Sequence, residues 1–255
     1  MNSKIPHTTP AIVTEQAAQN IPRPLLLALI FIYTVAGFWG REPFKPLEIN
    51  QLGWLFLFSD HGTTSKAIEL GFDPLLHPNS FAMLTNLWWQ GIEPRTAFWG
   101  LQSISFLALC LTLYLIWESA KRFSSLSAAQ PVTFAFGGEA KSSTYAVAIA
   151  DSTVLALIAA LGFSQFGHES SAFIFQIASV SGLMMAISVT QGSGFVRLVA
   201  RGLPLIGLAY AGAPLLAVLL CLTLVVQSVL ARSAGIRQKE ILLHLILMMG
   251  FLHVL

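Results

Sequence analysis

Charge is what this sequence has least of. Only 10% of its 255 residues are Asp, Glu, Lys or Arg, against about 25% in a soluble domain. That is too little to coat a water-facing surface, which excludes an ordinary soluble globule, a disordered chain and a coiled coil. Charge of one sign is scarce as well. Fourteen cations against twelve acids leave a net +2, without a basic stripe or an RNA-binding signature, so no nucleic-acid partner is expected. Cysteine is nearly missing. Cys110 and Cys221 both lie in apolar runs, with no metal-ligand spacing and no disulfide framework. They read as small buried hydrophobes. No internal repeat is evident.

What is abundant is hydrophobicity, at 55% of residues with a mean hydropathy of +0.70. A membrane span needs roughly 20 predominantly apolar residues. Candidate spans are 24–40, 97–117, 145–165 and 170–190, the last two split by Gly167-His168-Glu169-Ser170. The run 203–231 is interrupted by Ala211-Gly212-Ala213-Pro214. Proline cannot continue a helix ladder, so two helices, 203–212 and 214–231, are expected to meet in a hairpin. A final apolar run, 241–255, is short for a span. The expected fold class is all-α, a polytopic membrane protein of six or seven transmembrane helices. A tail, 1–23, precedes a transmembrane domain, 24–255. The polar, Pro-containing tail fits an uncleaved signal anchor.

Cation placement orients these pieces. Lys4, Arg23, Lys121, Arg122, Lys141, Arg197, Arg201, Arg232, Arg237 and Lys239 all fall on one side if the hairpin enters and returns. The amino terminus is then cytoplasmic. The opposite side receives a long loop, 41–95, and the short His168-Glu169 turn. The long loop carries six of the twelve acids. Within it, Glu48–Phe58 and Asn79–Gln90 are apolar on much of their surface. They read as two helices lying along the membrane, with Trp54, Trp88 and Trp89 at the headgroup level.

The loop opens Gly40-Arg41-Glu42-Pro43-Phe44-Lys45-Pro46-Leu47-Glu48. This segment resembles the start of the first periplasmic loop in membrane glycosyltransferases of the GT-C fold, which include the bacterial relatives of protein O-mannosyltransferase and the aminoarabinose transferase. The basic turn Trp117–Phe123, the His168-Glu169 pair and the hairpin at Gly212-Ala213-Pro214 resemble further parts of that family. The resemblance implies residence in the bacterial inner membrane. It implies transfer of a sugar from a polyprenyl-phosphate carrier to a lipid, glycan or protein acceptor at the periplasmic face.

The resemblance also assigns roles. Glu48 and Glu42 are the candidate catalytic carboxylates, since a weak hydroxyl nucleophile needs a base within reach. Arg41 and Lys45 are candidates for the phosphate, where charge develops as it leaves. His168, Glu169 and Tyr210 are candidate lining residues. Two departures stand out. The family's Asp-Glu pair is Leu47-Glu48 here, and leucine accepts no proton. The family's hairpin lysine has no counterpart. The chain is about half the family length, so a partner chain supplying a carboxy-terminal half is a candidate partner besides the donor and membrane lipids.

Other readings remain open. A divalent ion is a candidate cofactor, with Asp60, His61 and His77 joining Glu48, although histidines without ligand spacing are usually structural. Asp151, inside an apolar run, is functional by default but is expected to cap its helix near the cytoplasmic end. An accessory membrane protein of the same ancestry is the alternative function. A transporter, which needs polar groups or broken helices at the midplane, is a weaker third reading.

Overall fold

The computed structural model describes residues 13–38, 40–59, 94–132, 138–189, 194–230 and 250. They form eight helices: α1 (Arg23–Ala36), α2 (Pro46–Ser59), α3 (Pro94–Ser124), α4 (Ser142–Ala159), α5 (Leu161–Gly167), α6 (Ala172–Ser188), α7 (Gly194–Tyr210) and α8 (Pro214–Leu230). A short 3-10 turn spans Ser127–Ala129. Among the described residues the only β pairing is an isolated antiparallel bridge between Thr14 and Glu139. The chain is therefore all-α over what is described, as its hydropathy pattern requires.

Helix ends follow local chemistry. Pro24 in the first turn of α1 and Pro46 and Pro214 at the first positions of α2 and α8 occupy sites where a missing N–H costs nothing. Ser171 caps α6 by accepting the Phe173 N–H. Lys121 and Arg122 lie in the last turn of α3, where the helix dipole favours cations.

Among the described residues, two helices are long and apolar enough to cross a membrane, Thr96–Ser124 and Ser142–Ala159. A third crossing is added if α5 and α6, bent by 119°, form one broken span. Helix α1 has 14 residues and rises only about 21 Å, less than the roughly 30 Å of hydrocarbon. The surface carries the solvent preference. Leu27, Phe31 and Ile32 on α1, Leu107 on α3 and Leu203 on α7 are exposed, while Thr34, Gln102, Ser105, Thr112 and Ser181 are buried. A water-soluble protein does the reverse with most of these.

Several boundaries differ from the sequence reading. The span expected at 97–117 extends over Pro94–Ser124, because its flanking polar residues still satisfy a helix. The span expected at 145–165 stops at Ala159, since Ala160 is extended. The helix expected from 203 begins at Gly194 and passes through Pro204. Pro204 removes one backbone donor, and its ring lies against Gly182, where an added Cβ would meet the proline Cγ at 3.3 Å. Arg197 and Arg201 therefore lie on α7 and not in the segment after α6. Of the two helices expected in the long loop, the first is found as α2, and 79–90 lies outside the described residues.

Helix α3 is the axis of the fold, packing on α4 and α6, while α7 packs on α6 and α8. One core joins Phe38, Leu109, Leu113, Val154, Phe163 and Ile174. The other joins α6, α7 and α8 through Leu183, Leu205, Leu208 and Cys221. Helices α1 and α3 run antiparallel. Arg23 stacks over Trp117 at one end, and Phe38 meets Phe106 edge-on at the other. The bundle thus has two distinct polar ends.

Candidate functional site

One end is built where the chain leaves α1. Gly40 has φ +68° with open space around it, a left-handed turn that suits glycine. The turn directs Arg41 onto the bundle. Pro46 then starts α2, which places Glu48 in the first turn, where the dipole favours an acid.

Glu48 is fully buried. Its Oε1 accepts from the Arg41 guanidinium and, at 3.0 Å, from the Ser170 backbone N–H. The same Arg41 nitrogen donates to the His168 carbonyl. Lys45 donates to the Gln165 carbonyl and pairs with Glu169 at 3.3 Å. Gln102 of α3 donates to the Arg41 carbonyl at 3.3 Å. Two cations on the opening of the loop therefore clamp the 165–170 turn. The acids that balance them are buried.

His168 is the centre of the turn. Its Nε2 lies 2.9 Å from the Tyr33 carbonyl and its Nδ1 3.1 Å from the Ser164 carbonyl. Tyr33 and Phe38 meet the ring edge-on, with centroids 4.5 and 5.6 Å away. Gly37 makes room: a Cβ there would sit 1.8 Å from the imidazole. Glu48 Oε2, Glu169 Oε2, Ser170 Oγ and Gln51 Nε2 are buried without a hydrogen-bond partner. Such groups in a folded protein take water or a polar ligand.

Two neighbouring hollows flank this cluster. A groove of about 800 Å³ runs between α1 and α3, walled by Phe31, Val35, Phe38, Phe106 and Leu107. It shares Gly40 and Trp99 with a smaller cavity of about 420 Å³ that also holds Arg41 and Glu42. The apolar groove thus lies beside a cavity lined by one cation and one exposed carboxylate.

No family model, curated protein or solved structure matches this chain.

The chemistry of the residues has to carry the reading. The structure brings Arg41, Lys45, Glu48, His168 and Glu169 together and leaves Glu42 exposed on the cavity. Tyr210 is not part of this cluster. It is half-exposed at the last residue of α7, and the hairpin beside it is held by Gln176 donating to the Ala211 carbonyl at 2.7 Å. Leu47 is exposed. Among the described residues no group of three or more His, Cys, Asp or Glu side chains could hold a metal. Asp60, His61 and His77 lie outside the described residues.

Asp151 does not cap a helix. Helix α4 begins at Ser142, and Asp151 sits in its interior, 1% exposed. It accepts from Arg23 at 3.0 Å and from the Trp117 indole N–H at 2.8 Å. Burying a carboxylate is costly unless it is paired and hydrogen-bonded; both partners meet its Oδ1, while Oδ2 is buried without one. Sequence reasoning also missed Gln102, although a glutamine in an apolar span is a visible signal. Gly37 and Ser170 gave no signal, because their roles depend on which turn lies against them.

Proposed function

We propose that this chain is a membrane glycosyltransferase of the GT-C type, taking its sugar from a polyprenyl-phosphate donor at the periplasmic face of a bacterial inner membrane. In this reading α1, α7 and α8 count as shorter spans, giving six or seven crossings with the amino terminus in the cytoplasm. One observation carries the proposal: the apolar groove between α1 and α3 lies beside the cavity that holds Arg41 and Glu42, with Gly40 and Trp99 in the walls of both. That shape suits a ligand with a long apolar tail and an anionic head.

The roles follow from position. The prenyl chain lies in the groove and its phosphate beside Arg41. Glu48 and the His168 carbonyl fix the guanidinium, so Glu48 is a positioning residue and not the base. Glu42, exposed on the same cavity, accepts the proton of the acceptor hydroxyl. The hydroxyl oxygen bonds to the anomeric carbon, and the bond from that carbon to the phosphate oxygen breaks. Polyprenyl phosphate leaves with the electron pair, its charge stabilised by Arg41.

A second reading, a donor-binding accessory protein without transfer, draws on Leu47 at the base position and on a Glu48 already engaged. Full-length chain in liposomes with radiolabelled polyprenyl-phosphate mannose and aminoarabinose separates the two. The transferase reading expects binding and transfer, with Glu42→Gln keeping binding and lowering transfer about 10²–10⁴-fold, and Arg41→Ala weakening both. Binding with no transfer, and transfer appearing in Leu47→Asp, would identify the accessory protein. Absence of binding to either donor would end both.

A further inference from the structure

The opposite end of the bundle carries a second polar feature that the proposed reaction does not use. Asp151 is buried and holds Arg23 and the Trp117 indole N–H. Glu118 is also turned inward, its side chain 13% exposed, with Arg122 at 2.8 Å and Lys121 at 3.7 Å. The cations face the other way. The side chains of Arg23, Lys121 and Arg122 are 48%, 38% and 42% exposed. Asp151 and Glu118 are thus turned inward, and the three cations that pair with them are turned outward. Between them the outward groups Arg23, Lys121 and Arg122 present a local cationic patch.

Its geometry is specific. The Arg23 guanidinium and the Lys121 ammonium both lie over the Trp117 ring, 5.4 and 4.9 Å from its centroid. One indole thus gathers a cation from the first turn of α1 and another from the last turn of α3. Exposed apolar side chains continue from the patch along the same helices, Leu25 and Leu27 beyond Arg23, and Tyr114 and Leu111 beyond Trp117. Two more described acids, the exposed Glu15 and the half-buried Glu139, flank the backbone bridge between the 13–22 tail and residues 138–140 and are not paired with these three cations.

We propose that this face binds the phosphate headgroup of an anionic membrane lipid, held between Arg23 and Lys121 beside Trp117. Charge complementarity selects the headgroup. The guanidinium offers a planar fork to phosphate oxygens and the ammonium a point charge. A tryptophan suits the boundary between headgroup and acyl chain. The exposed leucines supply a wall for the acyl chains, which a free phosphate would not need. A zwitterionic lipid carries its own cation beside its phosphate and gains less.

The test uses the full chain in detergent micelles, with equimolar phosphatidylglycerol and phosphatidylcholine and bound lipid counted by native mass spectrometry. Phosphatidylglycerol is expected to be retained over phosphatidylcholine. Lys121→Gln should lower its retention about fivefold, the effect of one interfacial cation, and Arg23→Gln with Lys121→Gln should lower it further. Inorganic phosphate should not displace it. Equal retention of the two lipids, or retention unchanged in Lys121→Gln, would overturn the proposal. Displacement by inorganic phosphate would overturn it in favour of a free-anion site. Because Arg23 also satisfies Asp151, the single Lys121→Gln variant decides the matter if the double variant does not fold. Donor binding at the Arg41 end is read separately and is expected to be unchanged by Lys121→Gln.

Discussion

At the residue scale, the most constrained position is Gly37. Its missing side chain is the space that His168 fills, and His168 in turn supplies the carbonyl that Arg41 uses. Gly37→Ala forces the imidazole out of its notch and away from the Tyr33 and Ser164 carbonyls. The expected cost is roughly 1–3 kcal/mol of overpacking, read by denaturant unfolding in detergent. In a His168→Ala background the same change should be nearly free, a coupling that a double-mutant cycle measures. Additive losses would show that Gly37 serves some other purpose. The sequence made Arg41, Lys45, Glu48 and His168-Glu169 visible as a set, because charges in so apolar a chain need a reason. It could not tell which carboxylate is buried against Arg41 and which is left exposed. Glu48 looks like either until burial and the Arg41 pairing are known.

At the element scale, two breaks organise the fold. Helices α5 and α6 bend by 119° around the His168 turn, which presents the turn's carbonyls to Arg41 and Lys45. The α7–α8 hairpin closes at Gly212, with φ +83°, its N–H donating to the Ala209 carbonyl and that of Ala213 to the Leu208 carbonyl. This is the left-handed helix ending that glycine permits. Gly212→Ala should cost roughly 1–2 kcal/mol, seen as a lowered unfolding midpoint, and Gly212→Asn should cost less. Equal stability of all three proteins would contradict that conformation. The hairpin was legible from Gly212-Ala213-Pro214. The start of α7 was not, because Arg197 and Arg201 precede the apolar run and the helix interior holds Pro204. Only its packing on Gly182 shows how the helix passes through it.

At the scale of the whole molecule, the two polar ends define a direction through the bundle. Arg41, Glu42 and the His168 turn lie at one end, and Arg23, Trp117 and Asp151 at the other. Single cysteines at positions 42 and 122, both exposed, in a background without Cys110 and Cys221, should react with a membrane-impermeant maleimide from opposite faces of sealed vesicles. Labelling of both from one face would refute a crossing by α3. Cation placement put Arg23 and Lys121 on one side, and both do lie over the Trp117 ring.

The sequence by itself determined the solvent, the helical class and the list of polar residues that had to find partners. So little charge and so much hydrophobicity admit few other outcomes. Tertiary structure alone decided who those partners are. Arg23 and Asp151 are 128 residues apart, and Lys45 and Gln165 are 120 apart. Hydropathy and helix signals act over a few turns. A buried charge is neutralised by whatever the packing of distant helices brings within about 3 Å.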